Sequence, residues 1–352
     1  MLEQLPTLPR PAPVLPLGWS NALPLSIASR NYWPRRAMAA ARRPLPRQSW
    51  RGLLTICKIA APLALLQPLR VTAHAARSTS SSYLQRDAKL MTTAEAETWL
   101  SENADPRQPK QSEEYLRNNA AYALKARAEV PVAAAVPLEL FLHGVLPYRN
   151  VDEPVDEWRP GFFQVLAPIA AEAKTLREAV EAVVPRIFTE LRASRKVTNE
   201  PNATPVVFKA NCTPAIMAPI SETLHQGYAS CTGMSILVVN GLRSVGIPAR
   251  VVGTPLWNVE SGGNHNWVEV WTGEGDDGWQ FFDAAPTEKL TLNEAWFVPG
   301  NTMHAVKGTK NGIYSSEWTP SDVEYPLTWR DPAINWRAKD RTDYYLALSS
   351  SK

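Results

Sequence analysis

Apolar residues recur at helical spacing through Leu176, Val180, Val183, Val184, Ile187, Phe188 and Leu191. Thr175 and Glu178 precede the run as a capping box, so the pattern predicts an amphipathic helix with its stripe toward a core. Upstream, a helical segment is expected from residue 84 to about 127, with a second capping box at Thr92 and Glu95 and only weak periodicity. Residues 136–149 form an apolar segment ending around Pro147, and residues 197–220, with Pro201, Pro205, Pro214 and Pro219, read as a loop. A second stripe follows, Ile236, Leu237, Val239, Leu242 and Val245, closed by Gly246 as the C-terminal glycine of a helix. Then come a short β-branched strand, "IPARVVGTPLW", and two alternating runs in "NHNWVEVWTGEGDDGWQFFDAAP" joined by a Gly- and Asp-rich turn, the pattern of a hairpin. No internal repeat is visible.

Charge divides the chain. Its 352 residues are 20% charged and 45% hydrophobic, which is globular composition and enough for one large domain or two ordinary ones. The net charge of +3 conceals an asymmetry: residues 1–77 hold eleven Lys or Arg against one acid, Glu3, leaving 26 basic and 33 acidic side chains beyond them. The basic excess therefore belongs to a leader, and nucleic-acid binding by the folded part is not expected. Arg35, Arg36, Arg42, Arg43, Arg47 and Arg51 precede an apolar stretch at 52–69, and Ala73-His74-Ala75 follows it as a small-x-small cleavage pattern. That order predicts an export signal, with a mature start near Ala76 and a location in the periplasm, at the cell surface or outside the cell. An organelle transit peptide, or an anchor through residues 52–69, is the alternative, and Met38 is an alternative start. Lys58, Pro62 and Pro68 make that stretch a poor membrane span.

Without the leader, and with it Cys57, the chain keeps Cys212 and Cys231. Two cysteines make no disulfide framework, though they suffice for one bridge in an oxidising compartment. Cys231 falls at the first turn of the second predicted helix, where unpaired N–H groups and the macrodipole favour a thiolate. It is read as a nucleophile, half of a disulfide or a small buried apolar residue. The hairpin adds a test. With its turn centred at Glu274, Glu269 opposes Trp279, Trp267 opposes Phe281 and His265 opposes Asp283, all on one face. Directly opposed Cβ atoms lie about 4.5 to 5.5 Å apart, within reach of a His–carboxylate hydrogen bond.

The blocks "GYASCTGMSILVVNGLRSVGIPARVVG", "NHNWVEVW" and "WQFFDAAP" resemble the transglutaminase-like superfamily, whose fold is similar to that of papain-type cysteine proteases. The resemblance covers about residues 160 to 300. It implies an α+β fold in which a Cys-bearing helix packs on an antiparallel sheet, with Cys231 as nucleophile, His265 as general base and acid, and Asp283 as orienting carboxylate. By analogy with papain-like enzymes, Gln226 is a candidate oxyanion donor beside the Cys231 N–H, and Trp257, Asn264, Asn266 and Trp267 are candidates for the cleft. For the tryptophans, core packing is the competing reading, favoured for Trp267.

Weaker signals add little. The turn Glu274-Gly275-Asp276-Asp277 lacks the spaced ligands of a calcium loop and reads as solvated, and no zinc spacing is present, so neither metal nor cofactor is expected. His143 sits among apolar neighbours and reads as a core or surface histidine, and His225 as a surface one. Asn202-Ala203-Thr204 and Asn211-Cys212-Thr213 match the glycosylation pattern. The expected organisation is a targeting segment at 1–77, a helical segment at 78–155, a transglutaminase-like core at 156–300 and an extension at 301–352. Its tryptophans, Trp318, Trp329 and Trp336, are expected to anchor it by burial. The expected function is cleavage of peptide or isopeptide amides in a protein or peptide substrate, ahead of acyl transfer to amines, because the sandwich domains of the large calcium-dependent transglutaminases are not seen. A non-catalytic scaffold of the same fold is the reading from another class.

Overall fold

The computed structural model describes residues 91–260 and 262–350. The leader, its apolar stretch at 52–69 and the helical start at residue 84 lie outside the described residues. Thr92 caps the first helix, α1 (Thr93–Asn103), through a complete box: its N–H donates to Glu95 Oε2 at 2.9 Å and its Oγ1 accepts from the Glu95 N–H at 3.2 Å. Helices α2 (Glu113–Glu129), α3 (Leu138–Gly144), α4 (Trp158–Ala170) and α5 (Leu176–Ala193) follow. The box ahead of α5 forms by half. Thr175 Oγ1 accepts from the Glu178 N–H at 3.1 Å, but Glu178 Oε2 takes the Lys174 N–H at 2.8 Å instead of that of Thr175. The predicted stripe of α5 faces the core from Val180 to Leu191.

The expected loop at 197–220 contains one short strand, β1 (Val207–Phe208), paired in parallel with β2 (Tyr228–Ala229). Next comes α6 (Cys231–Ser244), which starts and ends where the sequence places it, since Gly246 takes a φ of +79° just beyond it. The one-sided stripe does not hold, because every residue from Thr232 to Ser244 is buried. Helices α4 and α5 cover one side and strands β3 (Ala249–Thr254) and β4 (His265–Trp271) the other. A Cβ on Gly241 would lie 2.5 Å from Ile187 Cδ1, so Ile187 of α5 packs directly onto the α6 backbone at this glycine.

Strands β3 and β4 belong to a six-stranded antiparallel sheet with β5 (Trp279–Phe282), β6 (Tyr314–Ser316), β7 (Val323–Leu327) and β8 (Ile334–Asp340), in the order β5-β4-β3-β6-β8-β7. The fold is thus α+β, a central helix on an antiparallel sheet. Val268 and Val270 join the core around α6, whereas Trp267 packs on the opposite face with Trp257, Phe281, Phe297 and Tyr345. This is the period-two alternation of a strand buried on both sides.

Helix α7 (Thr342–Ser350) closes that second face over a buried carboxylate. Glu269, fully buried, accepts from Arg250 Nε at 2.9 Å, Arg341 Nε at 3.0 Å and the Tyr345 hydroxyl at 3.0 Å. Tyr345 in turn accepts from Trp267 Nε1 at 2.7 Å. The segment before the core also reaches the segment after it. Tyr148 packs edge-on against Trp318 with centroids 4.8 Å apart, Arg107 pairs with Glu324 at 3.2 Å, and Asp152 pairs with Arg330. Among the described residues no helix is long and apolar enough to cross a membrane.

Candidate active site

Ser230 fixes where α6 begins. Its extended backbone stands outside the helix, its Oγ accepts from the Gly233 N–H at 3.3 Å, and its own proton goes to the Ala215 carbonyl at 2.5 Å. Cys231 is therefore the first helical residue, where main-chain N–H groups lack helical partners and the dipole favours negative charge. A Cβ on Gly233 would meet Ala229 Cβ at 2.8 Å, so the first turn sits directly on β2. The thiol is half-buried and free, as is that of Cys212.

The register of the hairpin differs from the sequence expectation. Glu269 opposes Phe281 and Trp271 opposes Trp279, which centres the turn on Gly275 rather than Glu274 and moves every pairing by two residues. An even displacement keeps His265 and Asp283 on one face but makes them diagonal, not direct, neighbours, a geometry still within side-chain reach. His265 Nε2 lies 3.3 Å from Asp283 Oδ1. The approach lies off the axis of a linear hydrogen bond, so the contact is an ion pair.

Aromatic rings hold the imidazole. Trp267 stacks on it at 5.9 Å, Phe297 meets it edge-on at 5.3 Å, and Trp296 tilts against it at 5.1 Å. Trp296 does more, because its Nε1 donates to Asp283 Oδ2 at 2.8 Å and so engages the oxygen that His265 leaves. Sequence reasoning missed Trp296 and Phe297. Both lie in the irregular segment after β5, and the only signal was an aromatic pair close behind the Asp block.

Burial opposes charge on both members of the Cys–His pair. It pushes the Cys231 thiol up, but the hydrogen bond and charge of His265, helped by the Asn266 N–H, bring it below its ordinary value. For His265, burial pulls down, while Asp283 and the Cys231 sulfur outweigh it and the imidazole is pushed up to about 9. The two shifts share mutual stabilisation of thiolate and imidazolium as a cause, to which Asp283 adds for His265.

The other sequence candidates fall in different places. Trp257 is buried and stacks parallel to Trp267 at 5.9 Å, and both belong to the wall behind His265. Asn264 is half-buried in the turn before β4, and Gln226 is half-buried five residues ahead of Cys231. Asn266 does not line a cleft. It is fully buried on the α6 side, and its Oδ1 accepts from Thr232 Oγ1 at 3.2 Å. His143 packs edge-on against Trp99 at 5.5 Å, with burial holding it below its ordinary value. His225 is exposed, 3.5 Å from Glu200. The acidic turn is not simply solvated, because Glu274 pairs with Arg177 at 2.6 Å and Asp277 with Arg341 at 2.7 Å. Trp318 and Trp336 are buried, as expected of anchors for the extension, whereas Trp329 is half-buried.

Compared with known proteins, residues 164–284 match the family model of the transglutaminase-like superfamily. The match contains β1 to β5 and all of α6. None of the curated proteins matches the chain.

Proposed function

From the premise that this chain carries a transglutaminase-like domain, we propose a cysteine-dependent enzyme acting on peptide or isopeptide amide bonds. In this reading Cys231 is the nucleophile, His265 the general acid and base, and Asp283 the orienting carboxylate. One observation carries it: a thiol at the N-terminus of a buried helix is coupled to an imidazole that itself stands 3.3 Å from a carboxylate.

The chemistry follows from those positions. With Nε2 turned to Asp283, Nδ1 is the nitrogen left to exchange a proton with sulfur and substrate. The thiolate adds to the amide carbonyl, and the oxyanion meets the Cys231 N–H, with Gln226 as second donor. The imidazolium protonates the departing amine, and a thioester remains on Cys231. Water or an amine, deprotonated by the now neutral imidazole, then adds to the thioester and frees the thiol. Hydrolysis is the proposed outcome, since the half-buried thiol and an Asp283 side chain 27% exposed leave the thioester open to water. Incubation with a casein digest and a labelled primary amine tests this: new peptide termini without label support hydrolysis, whereas label without new termini makes the protein a transglutaminase. If no panel of amides is turned over while Cys231→Ala alters assembly, the scaffold reading replaces both. Export through residues 1–77 is part of the proposal, and a native N-terminus upstream of residue 50 overturns it.

A further inference from the structure

We infer that Tyr325, on β7 beyond the segment matched to the family, is a positioning residue for Cys231: its hydroxyl anchors Asn266, which follows His265 on β4 and holds Thr232, the neighbour of Cys231 on α6. The inference rests on the Cys–His chemistry proposed above and extends it to the carboxy-terminal extension.

Asn266 links three elements. Its Oδ1 accepts from Thr232, the neighbour of Cys231 on α6, and its Nδ2 donates to the Tyr325 hydroxyl at 3.0 Å. Both ends of a fully buried amide are thus held, which fixes the side chain and the peptide plane attached to it. That peptide N–H favours the charged form of the sulfur. The tie exists because of a glycine. Gly253 is the β3 partner of Asn266 in the ladder, and a Cβ there would stand 2.2 Å from the Tyr325 hydroxyl, 2.4 Å from the His265 carbonyl oxygen and 2.6 Å from Asn266 Nδ2. Only a residue without a side chain lets a phenol from β7 reach across β3 to β4.

The Tyr325 ring needs no hydroxyl to stay in place. It is fully buried, stacks on Tyr314 with centroids 5.6 Å apart, and meets Trp329 at 5.7 Å. Tyr325→Phe therefore cuts the tie and keeps the packing. Burial and the nearby sulfur also hold the phenol protonated, so it adds no negative charge beside the thiolate.

The test is the rate of Cys231 alkylation by iodoacetamide against pH, in the full chain, for wild type, Tyr325→Phe, Thr232→Val and His265→Ala, with a thermal melt of each. The expected result for Tyr325→Phe is a folded protein whose alkylation midpoint moves to higher pH. On the acid limb its rate falls about five-fold, the loss typical of one neutral hydrogen bond, and at alkaline pH it equals wild type. Thr232→Val releases Asn266 from the helix side without touching β7 and is expected to move the midpoint the same way. A purely structural bond would lower the melting temperature and leave the midpoint alone, and wild-type midpoints in both variants overturn the inference. A wild type that already titrates as an ordinary thiol, unaffected by His265→Ala, instead defeats the Cys–His reading and the inference with it.

Discussion

Replacing Asp283 by Asn isolates the carboxylate's charge from its shape. The volume is retained and the side-chain oxygen still accepts from Trp296 Nε1, so the aromatic surroundings of His265 stay in place. What disappears is a negative charge whose Oδ1 lies 3.3 Å from His265 Nε2. Coulomb's law at that separation gives about 5 kcal/mol with an effective dielectric of roughly 20. Because the Asp283 side chain is 27% exposed, solvent and salt reduce this to about 2 kcal/mol. At about 1.4 kcal/mol per pH unit, an imidazole that wild type pushes up to about 9 falls to about 7.5 in the variant. The sign is fixed by the charge. In wild type the imidazolium persists through neutral pH and is lost as pH rises through about 9, whereas in Asp283→Asn it is lost from neutral pH upward. Titration of labelled histidine by NMR reads this directly, and His265→Ala assigns the His265 signal among the five histidines. A His265 midpoint unchanged in Asp283→Asn would refute the assignment of Asp283 as its charge partner.

Trp296→Phe removes the indole donor to Asp283 and keeps an aromatic ring near His265. Trp296 is 51% exposed, so water replaces much of the lost bond, and the expected effect is a fall of about five-fold in turnover with fold stability within about 1 kcal/mol of wild type. An unaltered turnover would remove Trp296 from the site. Glu269→Ala leaves Arg250 and Arg341 buried without their shared carboxylate, and unfolding in urea should show a loss of about 3 to 5 kcal/mol. A loss under 1 kcal/mol would mean that the buried pairs contribute little to holding α7 on the sheet.

Local signals made much of this legible beforehand. Gly246 and the stripe before it mark where α6 ends and put Cys231 in its first turn, because the C-terminal glycine signal is written within a few residues of the terminus. The burial of α6 on every side was not legible, since Ser235, Asn240, Arg243 and Ser244 read as a polar face. Most of that polarity is satisfied indoors: Ser235 donates to the Cys231 carbonyl, Ser244 to that of Gly241, Arg243 to those of Gly144 and Ala249, and Asn240 accepts from Asn150 through Oδ1 while its Nδ2 stays unpaired. Alternation placed His265 and Asp283 on one face, but the choice of turn centre was beyond it. Gly273, Gly275 and Gly278 all take positive φ in this turn, and a segment so permissive does not announce its midpoint. Trp296, Tyr325 and Arg341 escaped for a different reason, since they reach the site or its supporting strand from irregular or distant segments whose approach no period encodes.

Whether Cys231 and His265 form a poised ion pair is read from the alkylation of Cys231 against pH in wild type and His265→Ala. A poised pair gives rapid labelling well below the free-thiol value of about 8.5, lost in His265→Ala, which should titrate as an ordinary or raised thiol. Equal profiles in the two proteins, with labelling only at alkaline pH, would contradict it.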